Sequence, residues 1–144
     1  MNKKYSYCIL LFFLLVQVVA SFAKKPSDSP NILFVFSDDH AWQSIGAYGG
    51  RLKEVAHTPH IDKLASEGML FRKCFVANAL CGPSRAAVLT GKYGHRNGVT
   101  WNKNTNFDGS QQTFPKMMRQ NGYQTAIIGK WHLASVPTGF DYFD

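Results

Sequence analysis

Three short stretches hold the residue types from which a reactive site could be built: Asp38 beside Asp39, Cys81 four positions before Arg85, and Lys130 two positions before His132. Adjacent carboxylates at the end of an apolar run repel one another unless a cation or basic groups sit between them. Two such oxygen ligands suit a hard divalent ion, calcium or magnesium; the competing reading is that Asp38 caps a turn and Asp39 is solvated. Cys81 is followed by Pro83 and a helical run, which puts it at a helix N-terminus. Backbone N–H donors and the positive dipole end there suit an oxyanion or a bound anion. Taken singly, Arg85 and Lys130 are ordinary surface charges, and His132 reads as a structural histidine before it reads as a base.

The elements that must position these residues follow from local patterning. Residues 31–37 form an unbroken apolar run, the pattern of a strand buried on both faces in a parallel sheet covered by helices. Thr58 and Pro59 offer an N-cap and a first-turn proline, Ile61, Leu64 and Ala65 keep helical spacing, and Gly68 ends the helix. Residues 69–76 read as a second extended segment, interrupted by Arg72 and Lys73. A helix is expected over 83–89 with Gly91 near its end, a polar loop over 94–110, a helix over 113–121 closed by Gly122, and a strand over 123–129. Strands alternating with helices imply an α/β fold with a mainly parallel sheet flanked by helices. Ligands in such folds gather at the carboxyl ends of strands, where Asp38-Asp39 and Lys130-Trp131-His132 both fall.

Composition sets the compartment. Lys3 and Lys4 precede an apolar run at residues 9–19, and Ser21-Phe22-Ala23 supplies small residues for a signal peptidase, so residues 1–23 read as a secretory signal and 24–144 as the mature portion. The run is short against the roughly 20 residues that span a bilayer, so no stable membrane anchor is expected, and secretion to a periplasmic or extracellular space is. The chain of 144 residues carries a net charge of +7, and loss of the signal removes two lysines and no acid. A basic excess fits an anionic substrate, whereas scattered Lys and Arg give no polybasic arm for nucleic acid. An oxidising compartment also leaves open a Cys74–Cys81 disulfide.

Cys81-Gly-Pro-Ser-Arg85 with Leu89-Thr-Gly91 resembles the sulfatase signature, Cys-x-Pro-Ser-Arg followed by Leu-Thr-Gly. Residues 31–39 resemble that family's opening strand and metal pair, Thr58-Pro-His-Ile-Asp62 its first-helix pattern, and Gly129-Lys-Trp-His-Leu133 its matching motif. Four blocks in order cover nearly all of the chain after the signal. The resemblance implies the alkaline-phosphatase-like sulfatase fold and hydrolysis of sulfated sugars or aryl sulfates. It further implies conversion of Cys81 to formylglycine by a maturation enzyme, and a calcium ion, or magnesium, held by Asp38 and Asp39 with residue 81 among its ligands. By the same resemblance Arg85 stabilises the aldehyde hydrate, Lys130 neutralises charge on the transferring group, and His132 takes a proton from the second hydroxyl. The run Phe107-Asp-Gly-Ser-Gln-Gln-Thr-Phe114 with Pro137-Thr-Gly-Phe-Asp141 is most like the N-acetylglucosamine-6-sulfatase-like branch.

Sulfatases are several times longer, and their further metal ligands, the histidine that protonates the leaving alcohol and another sulfate-binding lysine lie downstream of this region. The chain is therefore expected to be an N-terminal fragment bearing half of a site. Two rivals remain: a phosphoester or phosphonate hydrolase of the same superfamily, and a non-catalytic binder of sulfated glycans with Cys74 bridged to Cys81. His57 and His60 read as structural despite a spacing that could hold zinc, His40 and His95 as loop residues within possible reach of substrate, and Met117 and Met118 as helix packing.

Overall fold

The computed structural model describes residues 29–144, so the expected signal at 1–23 lies outside the described residues. The chain divides after Phe34; residues 29–34 carry no regular secondary structure, and the helices, strands and site described below belong to the unit from Val35 to Asp144.

Helix α1 spans Pro59–Glu67, α2 Cys81–Thr90, α3 Gly94–Asn97 and α4 Phe114–Gln120. Short 3-10 turns occupy Trp42–Ser44 and Gly46–Tyr48. Strands β1, Ala126–Ile127, and β2, Tyr142–Phe143, pair in parallel with Ala126 opposite Tyr142 and Ile127 opposite Phe143. The crossover between them carries Lys130, Trp131 and His132, so this group leaves the carboxyl end of a parallel strand as expected.

The three longer helices lie close to where local signals put them. Each begins or nearly begins on a proline, and α2 stops where Gly91 enters the left-handed region at φ 66°, a conformation without penalty for a residue lacking Cβ. The expected strands are different. Residues 31–37 and 69–76 carry no strand, and the expected strand at 123–129 shrinks to the two residues of β1. Leu33, Val35 and Phe75 are exposed. A doubly buried strand exists only where neighbouring strands supply a ladder and helices cover both faces, and the described residues supply one short parallel pair. The loop expected over 94–110 is likewise interrupted by α3 and by a bridge between Trp101 and Asn104.

A small core holds these pieces. Ala86 and Leu89 of α2 pack with Val99, Phe107 and Leu133, and Trp131 and Phe140 lie against them. Buried Asn97 is satisfied on both sides of its amide, donating to Lys92 O at 2.9 Å and accepting from Val99 N at 2.9 Å. Met117 is exposed rather than packed, and Met118 is half-buried.

The Thr58-Pro-His-Ile-Asp62 pattern proves to be a clamp on the loop after Asp39. Asp62 Oδ1 accepts from Ala47 N at 2.7 Å and from the Thr58 hydroxyl at 3.0 Å, while Thr58 Oγ1 accepts from Gly46 N at 2.9 Å. The carboxylate so ties the second 3-10 turn to the first turn of α1. Asp62→Ala leaves the Ala47 N–H without its acceptor and is expected to cost about 1–2 kcal/mol, read as a lowered midpoint in thermal unfolding. An unchanged midpoint would show that water replaces the carboxylate at no cost.

Candidate active site

Helix α2 presents its first residue, Cys81, half-buried and as a free thiol; Cys74 is also free and exposed, so no disulfide joins them. This removes the bridge on which the binding-module reading rested. The Sγ of Cys81 and carboxylate oxygens of Asp38 and Asp39 all lie within 4.8 Å of one another. Neither His57 nor His60 belongs to such a group of three among the described residues, and both are exposed, as are His40 and His95.

Two cations hold the first carboxylate. Asp38 Oδ2 accepts from Lys130 Nζ at 2.6 Å and Oδ1 from Arg85 Nη2 at 3.1 Å. Arg85 is fixed in turn by a 2.6 Å bond from Nη1 to the carbonyl of Lys130, and its guanidinium carbon stands 5.2 Å from the centre of the Phe36 ring. The arginine side chain is 12% exposed, so α2, the 130 segment and the stretch before Asp38 meet around it. The hydrogen bond from Lys130 is the chief reason the Asp38 carboxyl lies below the usual carboxylate range; Arg85 adds to it against some desolvation. The same bond raises Lys130 above the ordinary lysine value, with the Asp38 charge adding to it. Both residues are ionised at neutral pH.

Trp131 sets the direction of its neighbours. Its ring meets Phe107 and Phe140 edge-on, at centroid distances of 6.4 and 6.2 Å, and its Nε1 donates to Ser135 O at 2.7 Å. With Trp131 and Leu133 turned to the core, Lys130 is left outward against Asp38. His132 has a left-handed backbone, φ 53°, and a buried Nδ1 with no partner among the described residues. Asp39 is left-handed as well, φ 51°. Non-glycine residues in this region are uncommon and concentrate at functional turns.

The carboxylate pair fits a hard divalent cation. Each oxygen of Asp38 accepts one bond from a cationic side chain and keeps a further lone pair, and Asp39 stands beside it in the same three-residue group. Asp38 and Asp39 would hold the ion, with Cys81 Sγ beside them in the same group.

The structure thus brings together Asp38, Asp39, Cys81, Arg85 and Lys130, and joins His132 to them through its backbone near Gly82. Two neighbours escaped sequence reasoning. Gly82 N donates to Asn102 Oδ1 at 2.9 Å, and a Cβ on Gly82 would stand 2.7 Å from the Thr105 methyl and 3.5 Å from His132 O. Gly82→Ala is therefore expected to cost about 1–3 kcal/mol in unfolding free energy. Gly82→Ala combined with Thr105→Ser should recover most of that loss, and failure to recover would point to backbone rather than methyl crowding.

The sulfatase family model matches residues 30–144. The N-acetylglucosamine-6-O-sulfatase of Bacteroides thetaiotaomicron is 53% identical over 120 residues, which cover 83% of this chain and 21% of that protein. The human N-acetylgalactosamine-6-sulfatase is 40% identical over 130 residues, covering 82% of this chain and 24% of that one. Among solved structures, a complex with its substrate D-glucosamine-2-N,6-O-disulfate superposes with a TM-score of 0.74 at 54% identity, over 79% of this chain and 22% of that one. The chain spans between a fifth and a quarter of the length of these relatives. The match spans the helix that begins at Cys81, the paired aspartates and the 130–132 segment, and the chain belongs to the sulfatase family.

Proposed function

We propose that the protein of which this chain forms a part hydrolyses sulfate esters of amino sugars. The observation that carries this reading is the convergence of Asp38, Asp39 and Cys81 within 4.8 Å, with Arg85 and Lys130 bonded to Asp38. An anionic sulfate ester brought there meets two fixed cations and a helix N-terminus, so negative charge developing on the leaving and attacking oxygens is offset by groups already in place. The amino-sugar class is supported by the similarity to the Bacteroides N-acetylglucosamine-6-O-sulfatase and to the disulfated glucosamine complex.

Residue 81 acts after maturation of its thiol to formylglycine. The hydrated aldehyde supplies two hydroxyls on one carbon, one to displace the alcohol from sulfur and one whose proton loss expels sulfate. Arg85 orients that residue from the same helix face, Lys130 balances charge on the transferring group, and His132 receives the second proton. A calcium or magnesium ion at Asp38 and Asp39 would withdraw charge from the sulfate oxygens. The basic leader and apolar run support secretion to the periplasm or beyond, where sulfated glycans are met.

The test uses the full-length protein from a host that forms formylglycine. Peptide mass spectrometry should find the aldehyde at residue 81, and sulfate should be released faster from N-acetylglucosamine-6-sulfate than phosphate from the matching phosphate ester. Faster phosphate release would transfer the protein to the phosphoester reading.

A further inference from the structure

We infer that Asn102 is a positioning residue for residue 81, acting through the amide of Gly82; this rests on the catalytic assignment of residue 81 above. The first turn of an α-helix has N–H groups without intrahelical acceptors, and they need a cap. The local candidate in α2 is Leu80, an apolar residue that provides no side-chain cap. The cap arrives instead from 20 residues downstream, where Asn102 Oδ1 accepts the Gly82 N–H at 2.9 Å. A nucleophile on the first residue of a helix is only as well placed as that first turn.

The loop bearing Asn102 is itself braced against the other half of the site. The Trp101–Asn104 bridge closes it, Thr105 O accepts from Ala134 N at 2.8 Å, and the Thr105 methyl crowds the face of Gly82. One short loop therefore touches both the residue after Cys81 and the segment after His132. The pattern Cys-x-Pro-Ser-Arg leaves its second position open, yet this close approach requires glycine there. Asn102 sets the distance and angle of the residue-81 side chain relative to Asp38 and Lys130 without contacting substrate.

The experiment compares full-length wild type, Asn102→Ala and Asn102→Asp, each matured in the same host. Aldehyde content at residue 81 is measured by mass spectrometry, and kcat and KM are determined separately per aldehyde-bearing site on one sulfate ester. Asn102→Ala is expected to lower kcat about tenfold with KM within about twofold, the size of losing one helix cap expressed only at the reacting atoms. Asn102→Asp, which keeps an oxygen for the Gly82 N–H, should recover at least half of that loss on a logarithmic scale. A kcat for Asn102→Ala within about twofold of wild type, or no recovery in Asn102→Asp, overturns the inference. Hydrogen exchange of the peptide containing Gly82 gives a readout independent of turnover: faster exchange in Asn102→Ala supports the cap, and unchanged exchange overturns it. Should wild type carry the aldehyde but turn over no sulfate ester, the proposed function fails while the exchange measurement still decides whether Asn102 holds the turn.

Discussion

Replacing Cys81 by serine in the full-length enzyme is expected to stop hydrolysis after a single turnover. A serine oxygen can form a bond to sulfur as the bond from sulfur to the alcohol oxygen breaks, and the alcohol leaves with a proton. The resulting sulfate ester on residue 81 has no second hydroxyl on the same carbon, so nothing on that residue can expel sulfate. The alcohol should appear in one burst equal to the enzyme present, residue 81 should carry a covalent sulfate in the intact mass, and the steady rate should fall at least about a thousandfold, as for loss of other catalytic nucleophiles. Cys81→Ala should show neither burst nor adduct. Sustained turnover by the serine variant near the wild-type rate would remove residue 81 from the reaction altogether.

Asp38→Asn is the second large effect. The side chain keeps its size but loses the charge that holds Lys130 at 2.6 Å and Arg85 at 3.1 Å, and it loses half of the carboxylate pair available to a cation. The expected result is a loss of about a hundredfold or more in kcat/KM together with weaker binding of calcium, measured by titration. Direction with pH is also fixed. Because the Lys130 hydrogen bond lowers the Asp38 pKa, stability from this cluster is fully present above the ordinary carboxylate range and is lost as pH falls through the lowered value. Lys130, raised by the same bond, keeps its charge until pH climbs past its raised value. The difference in Tm between wild type and Asp38→Asn should therefore be flat from about pH 5 to about pH 9 and shrink below about pH 4. A difference that changes through pH 6 to 8 would mean that another group controls the cluster.

These two effects differ in origin. The Cys81 prediction is chemical, since it depends on how many hydroxyls one carbon can carry. The Asp38 prediction is electrostatic and depends on three segments meeting. Lys130 lies 92 residues from the carboxylate it binds, and Arg85 lies 47 away. Neither partnership is visible in spacing along the chain, although both cations are conspicuous inside their motifs.

Helices α1, α2 and α4 were legible in the sequence because their signals are local: a proline in or near the first turn and a glycine just past the end of each, with threonine at the N-cap position of α1 and α4. So were the reactive residue types, since Asp38-Asp39, Cys81 with Arg85, and Lys130 with His132 are each read within a few positions. Strands were legible only in part: the segment 123–129 does contain the strand Ala126–Ile127, whereas the apolar run at 31–37 states only that a segment could be buried; a ladder requires a partner, and Ala126–Ile127 found one in Tyr142–Phe143 where 31–37 did not. Tertiary structure alone decided that the Asp62 carboxylate would clamp the loop after Asp39, that Trp131 would turn inward and leave Lys130 facing Asp38, and that Asn102 would cap the helix carrying Cys81. Each of these is a hydrogen bond or ring contact between residues far apart in the chain, whose energy exists only once folding has brought both ends together.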